Sequence, residues 1–327
     1  MGSVEAKLLG DLDGVRTRVF RKGGGVGELS SLTRRLREER SFDVLLHMHA
    51  SLRANLVSLS LPARVRMGFD GARSRDLQHL FVNRKLPPDP GAHVLEGFAS
   101  FSRQVGADPR DLRWDIPVSS EDRAFARTHV PDGERVLVVS PASSHPLRNW
   151  SVERYAEVAT HAIHRHGMRI LLCGGPSREE RVLAREIEER LPAAAVTNLV
   201  GRDTLKSFLA VLQRASGLLS PDSGPAHMAS AVGTPVLGLY AATDPERSGP
   251  YRSLRWCENR FREAARHLGK DPKALPWGTK LEAPGVMDLI PAGAVMDRLD
   301  TLVAELEAGR PVVAPPELRT AGLSAWE

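Results

Sequence analysis

The stretch from Gly217 to Pro245 constrains the fold most, because it predicts a complete strand–turn–helix–strand unit. The short apolar run Gly217–Ser220 is followed at once by a proline, which is typical of a buried strand. A helix of small residues is predicted at Ala226–Val232, and Gly233 suits the left-handed position at its end. A second apolar strand, Val236–Tyr240, follows. Two strands joined through a helix indicate part of a parallel sheet.

The turn between the first strand and the helix is the predicted binding site. The first N–H groups of a helix have no partner within it, and the positive end of its dipole favours an anion. Gly224 lets a ligand approach the backbone closely, and His227 lies near enough to reach the same anion. We therefore predict anion binding at five consecutive residues: Asp222, Ser223, Gly224, Pro225 and Ala226. An ordinary capped turn is the alternative.

Strands and helices alternate regularly from Val136 onward, which predicts a parallel sheet with helices on both faces. Ligands bind such sheets beyond the carboxyl ends of the strands. We place a domain boundary near Pro131-Asp132-Gly133. The expected division is an N-terminal domain over 1–133, a second domain over 134–290, a closing helix over 291–306 and a disordered tail over 307–327. In the first domain, Val15–Phe20, Phe42–Met48 and Val65–Phe69 are predicted strands.

Composition narrows the choice of partner and compartment. The 327 residues carry a formal net charge of +5, which favours an anionic partner, although a solvated basic surface would give the same charge. Aromatic residues make up only 5% and no basic block contains them, so nucleic acid is not expected. Two distant cysteines, Cys173 and Cys257, fit a reducing compartment. No apolar run reaches the ~18 residues of a membrane helix, so a cytoplasmic protein is expected.

The sequence DSGPAHMASAVGTPVLGLYAATDP resembles the signature of glycosyltransferase family 9, the ADP-heptose:lipopolysaccharide heptosyltransferases. It departs from that signature at Ser230 and Ala241 and matches it at Asp222, Ser223, Gly224, His227, Ala229, Pro235, Thr243, Asp244 and Pro245. The resemblance implies a GT-B-like α/β fold, with two Rossmann-like parallel-sheet domains facing a cleft. It also implies transfer of heptose from ADP-heptose to the lipopolysaccharide inner core, with inversion and without a metal or other cofactor.

Further site residues come from loops that follow predicted strands. Ser143, Ser144 and Arg148 lie in one such loop, and hydroxyl and guanidinium groups are suitable donors to a diphosphate. By resemblance to the family, this loop contacts the donor, and either Glu179 or Glu180 holds the ribose hydroxyls. A polar loop that caps the next helix, and acids that complement a helix dipole, are the alternatives. By the same resemblance, Arg84 and Lys85 contact acceptor phosphates.

The N-terminal domain is expected to be shortened, since the family's first strand–helix–strand is not evident. In the family a Gly-Asp after that first strand supplies the general base. Leu8-Leu9-Gly10-Asp11 is the stretch most similar to it, so Asp11 is the candidate base, and transfer by this chain is expected to be weak. The expected acceptor, lipopolysaccharide core on lipid A, would be met at the cytoplasmic membrane face. A nucleotide-sugar epimerase and a truncated, non-catalytic nucleotide-sugar-binding protein are the alternatives.

Overall fold

The computed structural model describes residues 3–20, 25–38, 42–89, 93–107 and 114–315. The chain forms two compact units, and the division falls between residues 112 and 113. This division precedes the predicted boundary at Pro131-Asp132-Gly133. The intervening helix, Ser120–His129, packs against Leu205–Arg214 of the second unit. Arg214 Nε also donates to the carbonyl oxygen of Val130 at 2.7 Å, which ties this segment to the second unit.

The second unit is built on six parallel strands with helices between them. Its elements in chain order are α5 Ser120–His129, β4 Val136–Val139, α6 Val152–His166, β5 Arg169–Leu172, α7 Arg178–Glu188, β6 Val196–Asn198, α8 Leu205–Arg214, β7 Gly217–Pro221, α9 Gly224–Val232, β8 Val236–Tyr240, α10 Pro245–Ser248, β9 Glu258–Asn259, α11 Phe261–His267 and α12 Ala292–Glu307. The strand order β6-β5-β4-β7-β8-β9 is that of a Rossmann sheet.

Local sequence signals account for these elements. Helix α6 begins where the Ser151 hydroxyl accepts a hydrogen bond from the Arg154 N–H. It ends at Gly167, whose φ of 61° is the left-handed conformation that a glycine accepts without steric cost. The sequence predicts a helix over Val152–His166 that ends at Gly167, and both ends agree with this prediction. Strands β4 and β7 are buried at every residue, as expected of a parallel sheet covered on both faces.

The core of the second unit includes Leu137, Tyr155, Ile170 and Leu237, all almost completely buried. Each such apolar side chain contributes about 1.5–3 kcal/mol on burial. Trp150, at the end of the predicted diphosphate-binding loop, is buried and donates from Nε1 to the Ile290 carbonyl oxygen at 3.2 Å. The loop is thereby fixed to the segment that precedes α12.

The first unit holds a smaller parallel sheet. Its elements are α1 Ser3–Leu9, α2 Gly25–Glu38, β1 Phe42–Leu46, α3 Leu52–Ser58, β2 Ala63–Gly68, β3 Arg84–Lys85 and α4 Val94–Gln104. The strand order is β1-β2-β3. Met67, Leu86 and Phe101 form its buried apolar cluster. The predicted strands at 42–48 and 65–69 correspond to β1 and β2, within one or two residues at each end.

Three expectations from the sequence differ from the structure. The alternating segment Val15–Phe20 is irregular, and Val15 and Val19 are exposed, because no strand of the described chain pairs with it. A strand is also possible from the sequence at Leu112–Ile116, but residues 114–116 are irregular, while 112 and 113 lie outside the described residues. In the expected disordered tail over 307–327, Trp256 Nε1 donates to the Val312 carbonyl oxygen at 2.5 Å, while residues 316–327 lie outside the described residues.

Candidate active site

The loops after β4 and β7 meet at the point where the strand order of the larger sheet reverses. The Ser143 hydroxyl donates to the main-chain oxygen of Asp222 at 2.9 Å. The Ser220 hydroxyl donates to the main-chain oxygen of Ser140 at 3.0 Å. Strands β4 and β7 are neighbours there, and such a reversal opens the crevice in which α/β sheets bind ligands. The predicted Ser143 loop and the predicted Asp222 turn therefore form one site.

The N-terminus of α9 faces this site with its first N–H groups uncapped by a side chain. Ser223 is the N-cap residue, but its hydroxyl pairs with the Ser220 hydroxyl at 2.8 Å instead of with the helix. A Cβ atom added to Gly224 would meet no heavy atom of the described residues within 4 Å. The positive end of the α9 dipole is therefore open to an anion. The helix starts at Gly224, two residues earlier than predicted.

Arg148 lies between two carboxylates. Its Nη1 is 3.2 Å from Asp222 Oδ2, its Nε is 2.8 Å from Glu282 Oε1, and its Nη2 is 2.6 Å from the same Glu282 oxygen. The exposed fractions of the three side chains are only 12%, 13% and 20% for Arg148, Asp222 and Glu282. A guanidinium has five N–H donors, so the contacts leave donors available for a further anion.

Glu282 is a site residue that sequence reasoning missed. Partial burial acts to raise the pKa of Glu282. Hydrogen bonding to Arg148 and the charges of Arg148, Lys280 and His145 outweigh it and hold this pKa below its ordinary value. His145 Nε2 lies 3.7 Å from Glu282 Oε2. Glu282 is a single acid in an irregular segment, 134 residues from Arg148. No motif or periodicity marks it in the sequence.

His227 joins the same cluster from the first turns of α9. Its Nε2 is 3.9 Å from Asp222 Oδ1, and its side chain is 51% exposed. Protein atoms packed around the ring lower the pKa of His227, while the Asp222 carboxylate acts in the opposite direction. The imidazole is therefore neutral at neutral pH and can donate one hydrogen bond to an anion without adding charge.

The loop after β5 distinguishes the two neighbouring acids of the sequence prediction. Glu180 turns back on this loop, and its Oε2 accepts from the Gly175 N–H at 2.5 Å. A Cβ atom on Gly174 would approach Glu180 Oε2 to 2.7 Å, so a larger residue there would displace the Glu180 carboxylate from this position. Glu179, in contrast, is exposed. Of the two, Glu180 therefore lies at the carboxyl end of the sheet.

Asp203 lies close enough to Glu180 for the two carboxyl groups to interact. Burial, together with the Glu180 charge, raises the pKa of Asp203 to about 6. The N-cap of α8 is its neighbour Thr204, whose hydroxyl accepts from the Ser207 N–H at 3.1 Å. The sequence offers either Asp203 or Thr204 as the cap of this helix, and in the structure Thr204 fills that position.

The remaining predicted residues are more scattered. Ser144 is exposed, and Ala226 is completely buried inside α9. In the first unit, Arg84 and Lys85 form the short strand β3 and are both exposed. Asp11 is exposed in a turn after α1, so it follows a helix and not a strand.

Comparisons with known proteins agree with this architecture. The family model described as glycosyltransferase family 9 (heptosyltransferase) matches residues 29–277. The chain belongs to glycosyltransferase family 9. The lipopolysaccharide core heptosyltransferase OpsX of Haemophilus influenzae is 35% identical over 306 residues, covering 92% of this chain and 86% of that protein.

Two solved structures extend the likeness to the fold. A family 9 glycosyltransferase from Veillonella parvula has a TM-score of 0.65 at 21% identity, over 88% of this chain and 80% of its own. The E. coli ADP-heptose LPS heptosyltransferase II has a TM-score of 0.62 at 21% identity, and the match covers 86% of this chain and 82% of that one. These matches confirm the predicted GT-B-type α/β fold.

Membership of glycosyltransferase family 9 makes this protein a glycosyltransferase and confirms the resemblance drawn from the Gly217–Pro245 stretch. The matched region of this family 9 chain contains the β4, β5 and β7 loops, but ends before Glu282. Within the described residues, no helix is both long and apolar enough to span a bilayer.

Proposed function

We propose that this glycosyltransferase transfers heptose from ADP-heptose to the inner core of lipopolysaccharide. The observation that carries the proposal is the cluster at the β4–β7 switch point. There the open N-terminus of α9, a guanidinium with unused donors and a neutral imidazole surround one space. This set suits a diphosphate, and the likeness to a core heptosyltransferase over 92% of the chain supports heptose and lipopolysaccharide as its substrates.

In the proposed reaction, an acceptor hydroxyl oxygen bonds to the anomeric carbon of heptose as the bond from that carbon to the diphosphate breaks. ADP leaves with the electron pair, and the hydroxyl proton passes to a base. The α9 dipole, Arg148 and His227 stabilise the charge that develops on ADP. Glu180 holds the ribose hydroxyls at the end of β5. Direct displacement of this kind inverts the anomeric centre.

The first test is the choice of nucleotide. ADP at about 100 times its Kd stabilises a protein by about 2.7 kcal/mol, which gives a clear rise in Tm. We expect ADP to raise Tm and UDP or GDP to raise it less. Equal shifts with all three nucleotides would contradict an adenine-specific donor site.

The second test is transfer itself, measured as ADP release with heptose-deficient lipopolysaccharide. We expect ADP release from ADP-heptose that depends on this acceptor. A nucleotide-sugar epimerase would convert the donor without an acceptor, and a binding protein would do neither. Because Mg²⁺ is not needed to hold the diphosphate in this proposal, adding Mg²⁺ should leave the rate unchanged.

Asp11 is tested as the general base with Asp11→Asn. Since Asp11 follows a helix and not a strand, we expect the variant to keep the parent's rate of transfer. Loss of a general base typically lowers the rate about 10²–10⁴-fold. A loss of that size, with unchanged ADP binding, would instead assign the base to Asp11.

The exposed Arg84 and Lys85 of β3 are proposed to meet acceptor phosphates near the cytoplasmic membrane face. The net charge of +5 favours an anionic surface of this kind. Co-sedimentation with vesicles containing anionic lipid should fall in an Arg84→Gln, Lys85→Gln double variant, and it should fall in the parent as salt rises. Arg266→Gln on the exposed side of α11 serves as the matched control.

A further inference from the structure

Two histidines and an aspartate converge where α6 packs against α12. His161 Nε2 and His166 Nε2 each lie 2.6 Å from the same oxygen, Asp300 Oδ1. The exposed fractions of the three side chains are 23%, 12% and 32%. Their three potential ligand atoms all lie within 4.8 Å of one another. The donor set is therefore compact and half-buried.

Backbone geometry produces this convergence. His161 and His166 come from the last turns of α6, which ends at Gly167, and the two rings meet edge to face with their centroids 5.6 Å apart. Asp300 comes from the middle of α12. Arg165 Nε is 3.1 Å from Asp300 Oδ2, which directs the other oxygen towards the two imidazoles. Carboxylate ligands of metals are commonly held by such an outer hydrogen bond.

We propose that His161, His166 and Asp300 bind a divalent transition-metal ion, with Zn²⁺ as the best fit. Two imidazole nitrogens and one carboxylate oxygen are typical Zn²⁺ ligands, with bonds of about 2.0–2.2 Å. Ligand atoms around a tetrahedral ion lie about 3.3 Å apart, so each imidazole nitrogen, which lies 2.6 Å from Asp300 Oδ1, must move away from that oxygen by less than about 1 Å. Small side-chain rotations suffice for this.

Water can reach one of the three side chains, because His161 lines an open groove of about 510 Å³ together with Glu157, Thr160 and Met296. The proposed ion is separate from the donor site. The last turns of α6 lie near the amino-terminal end of β5, whereas the donor site lies beyond the carboxyl ends of β4 and β7. Its effect is structural: it joins α12 to α6, two helices that pack on the sheet core.

The experiment uses the full-length chain without an affinity tag, stripped of metal. One equivalent of Zn²⁺ should bind saturably in calorimetry and raise Tm by on the order of 5–10 °C when it is well above its Kd. Co²⁺ should give the ligand-field spectrum of a site with nitrogen and oxygen ligands. His161→Gln and Asp300→Asn should each lose the Tm rise and the Co²⁺ spectrum.

His164→Gln is the matched control, since His164 lies on the same helix, is exposed, and is not in the cluster. It should keep metal binding. If His161→Gln does not fold, His161→Cys keeps a metal ligand and should add a sulfur-to-cobalt charge-transfer band. The proposal is overturned if the parent shows no one-to-one binding, or if His161→Gln and Asp300→Asn bind the metal as the parent does. In either case the cluster is only a hydrogen-bonded link between helices.

Discussion

Replacing Arg148 with alanine should destabilise the second unit as well as weaken ADP binding. The change removes two hydrogen bonds and a further ion-pair contact of 2.6 Å, and it leaves Asp222 and Glu282 without their shared cation, at exposed fractions of only 13% and 20%. A hydrogen bond to a charged group contributes about 1.5–3 kcal/mol. Allowing for partial exposure to solvent, we expect a loss of about 2–3 kcal/mol and a fall in Tm of about 5–10 °C.

A double-mutant cycle isolates the Arg148–Glu282 pair. Glu282→Gln should cost less than Arg148→Ala, because Arg148 keeps Asp222 as its partner. The double variant should recover part of the loss, with a coupling of about 1–2 kcal/mol measured by urea unfolding. Because this approach measures stability without a ligand, it is independent of the proposed function.

The pH dependence gives a second readout. The pKa of Glu282 is lowered in the folded state, chiefly through Arg148 acting against burial. Its contribution to stability is therefore present above its ordinary pKa of 4.5 and is lost as pH falls through the lower folded value. The difference in unfolding free energy between parent and Arg148→Ala should be largest near neutral pH and should shrink below about pH 4.5.

ADP affinity completes the prediction. Loss of a charge-assisted contact of about 1.5–3 kcal/mol corresponds to roughly 10- to 100-fold weaker binding, and the affinity that remains should fall less steeply with salt. Calorimetry should also show unchanged affinity for Arg266→Gln. If Arg148→Ala melts like the parent and binds ADP equally well, the two carboxylates do not depend on Arg148 and the loop is only a structural cap.

Two further changes test the packing around the site. Burial raises the pKa of Asp203 to about 6 from 3.8, so the parent should lose stability as pH rises between these values, whereas Asp203→Asn should not. Over this pH range the unfolding free energy of the parent should fall relative to that of Asp203→Asn by at most about 3 kcal/mol, as measured by urea unfolding. Parallel pH profiles of the two proteins would contradict the prediction. Gly238→Ala should destabilise the protein by about 1–3 kcal/mol, because its Cβ atom would approach both Cys257 Sγ and the Tyr240 ring to 2.7 Å. An unchanged Tm would mean that β8 shifts to make room.

The sequence predicted best those features that a few neighbouring residues determine. Helix α9 ends at Val232 because Gly233 takes the left-handed position, and the apolar run Val236–Tyr240 is strand β8, both as predicted. The segment Val15–Phe20 has the alternation of a strand but remains irregular, because a strand also needs a neighbour with which to pair. Pairing is a property of the tertiary structure, and alternation alone does not report it.

The same distinction applies to the site. The position of the Asp222–Gly224 turn and of the Ser143–Arg148 loop at strand ends could be predicted, because each is a short motif that follows an apolar strand, while their role in binding stays a prediction. Glu282 could not, since its role arises only when the segment before α12 folds against Arg148, 134 residues away in the chain. Glu179 and Glu180 could not be distinguished from the sequence either, because two adjacent acids differ only in the direction that their side chains take in the fold.

The contacts of Asp222 change how the signature turn is understood. The sequence pattern places Asp222 with Ser223 and Gly224 in a predicted anion site, although a carboxylate repels a diphosphate. In the structure its main-chain oxygen accepts from Ser143, and its carboxylate holds Arg148 and lies 3.9 Å from His227. We infer that Asp222 positions the groups that contact the donor and makes no such contact itself. Arg148 then needs no change of partner when the diphosphate arrives, because the N–H groups not bound to Asp222 and Glu282 remain available to it.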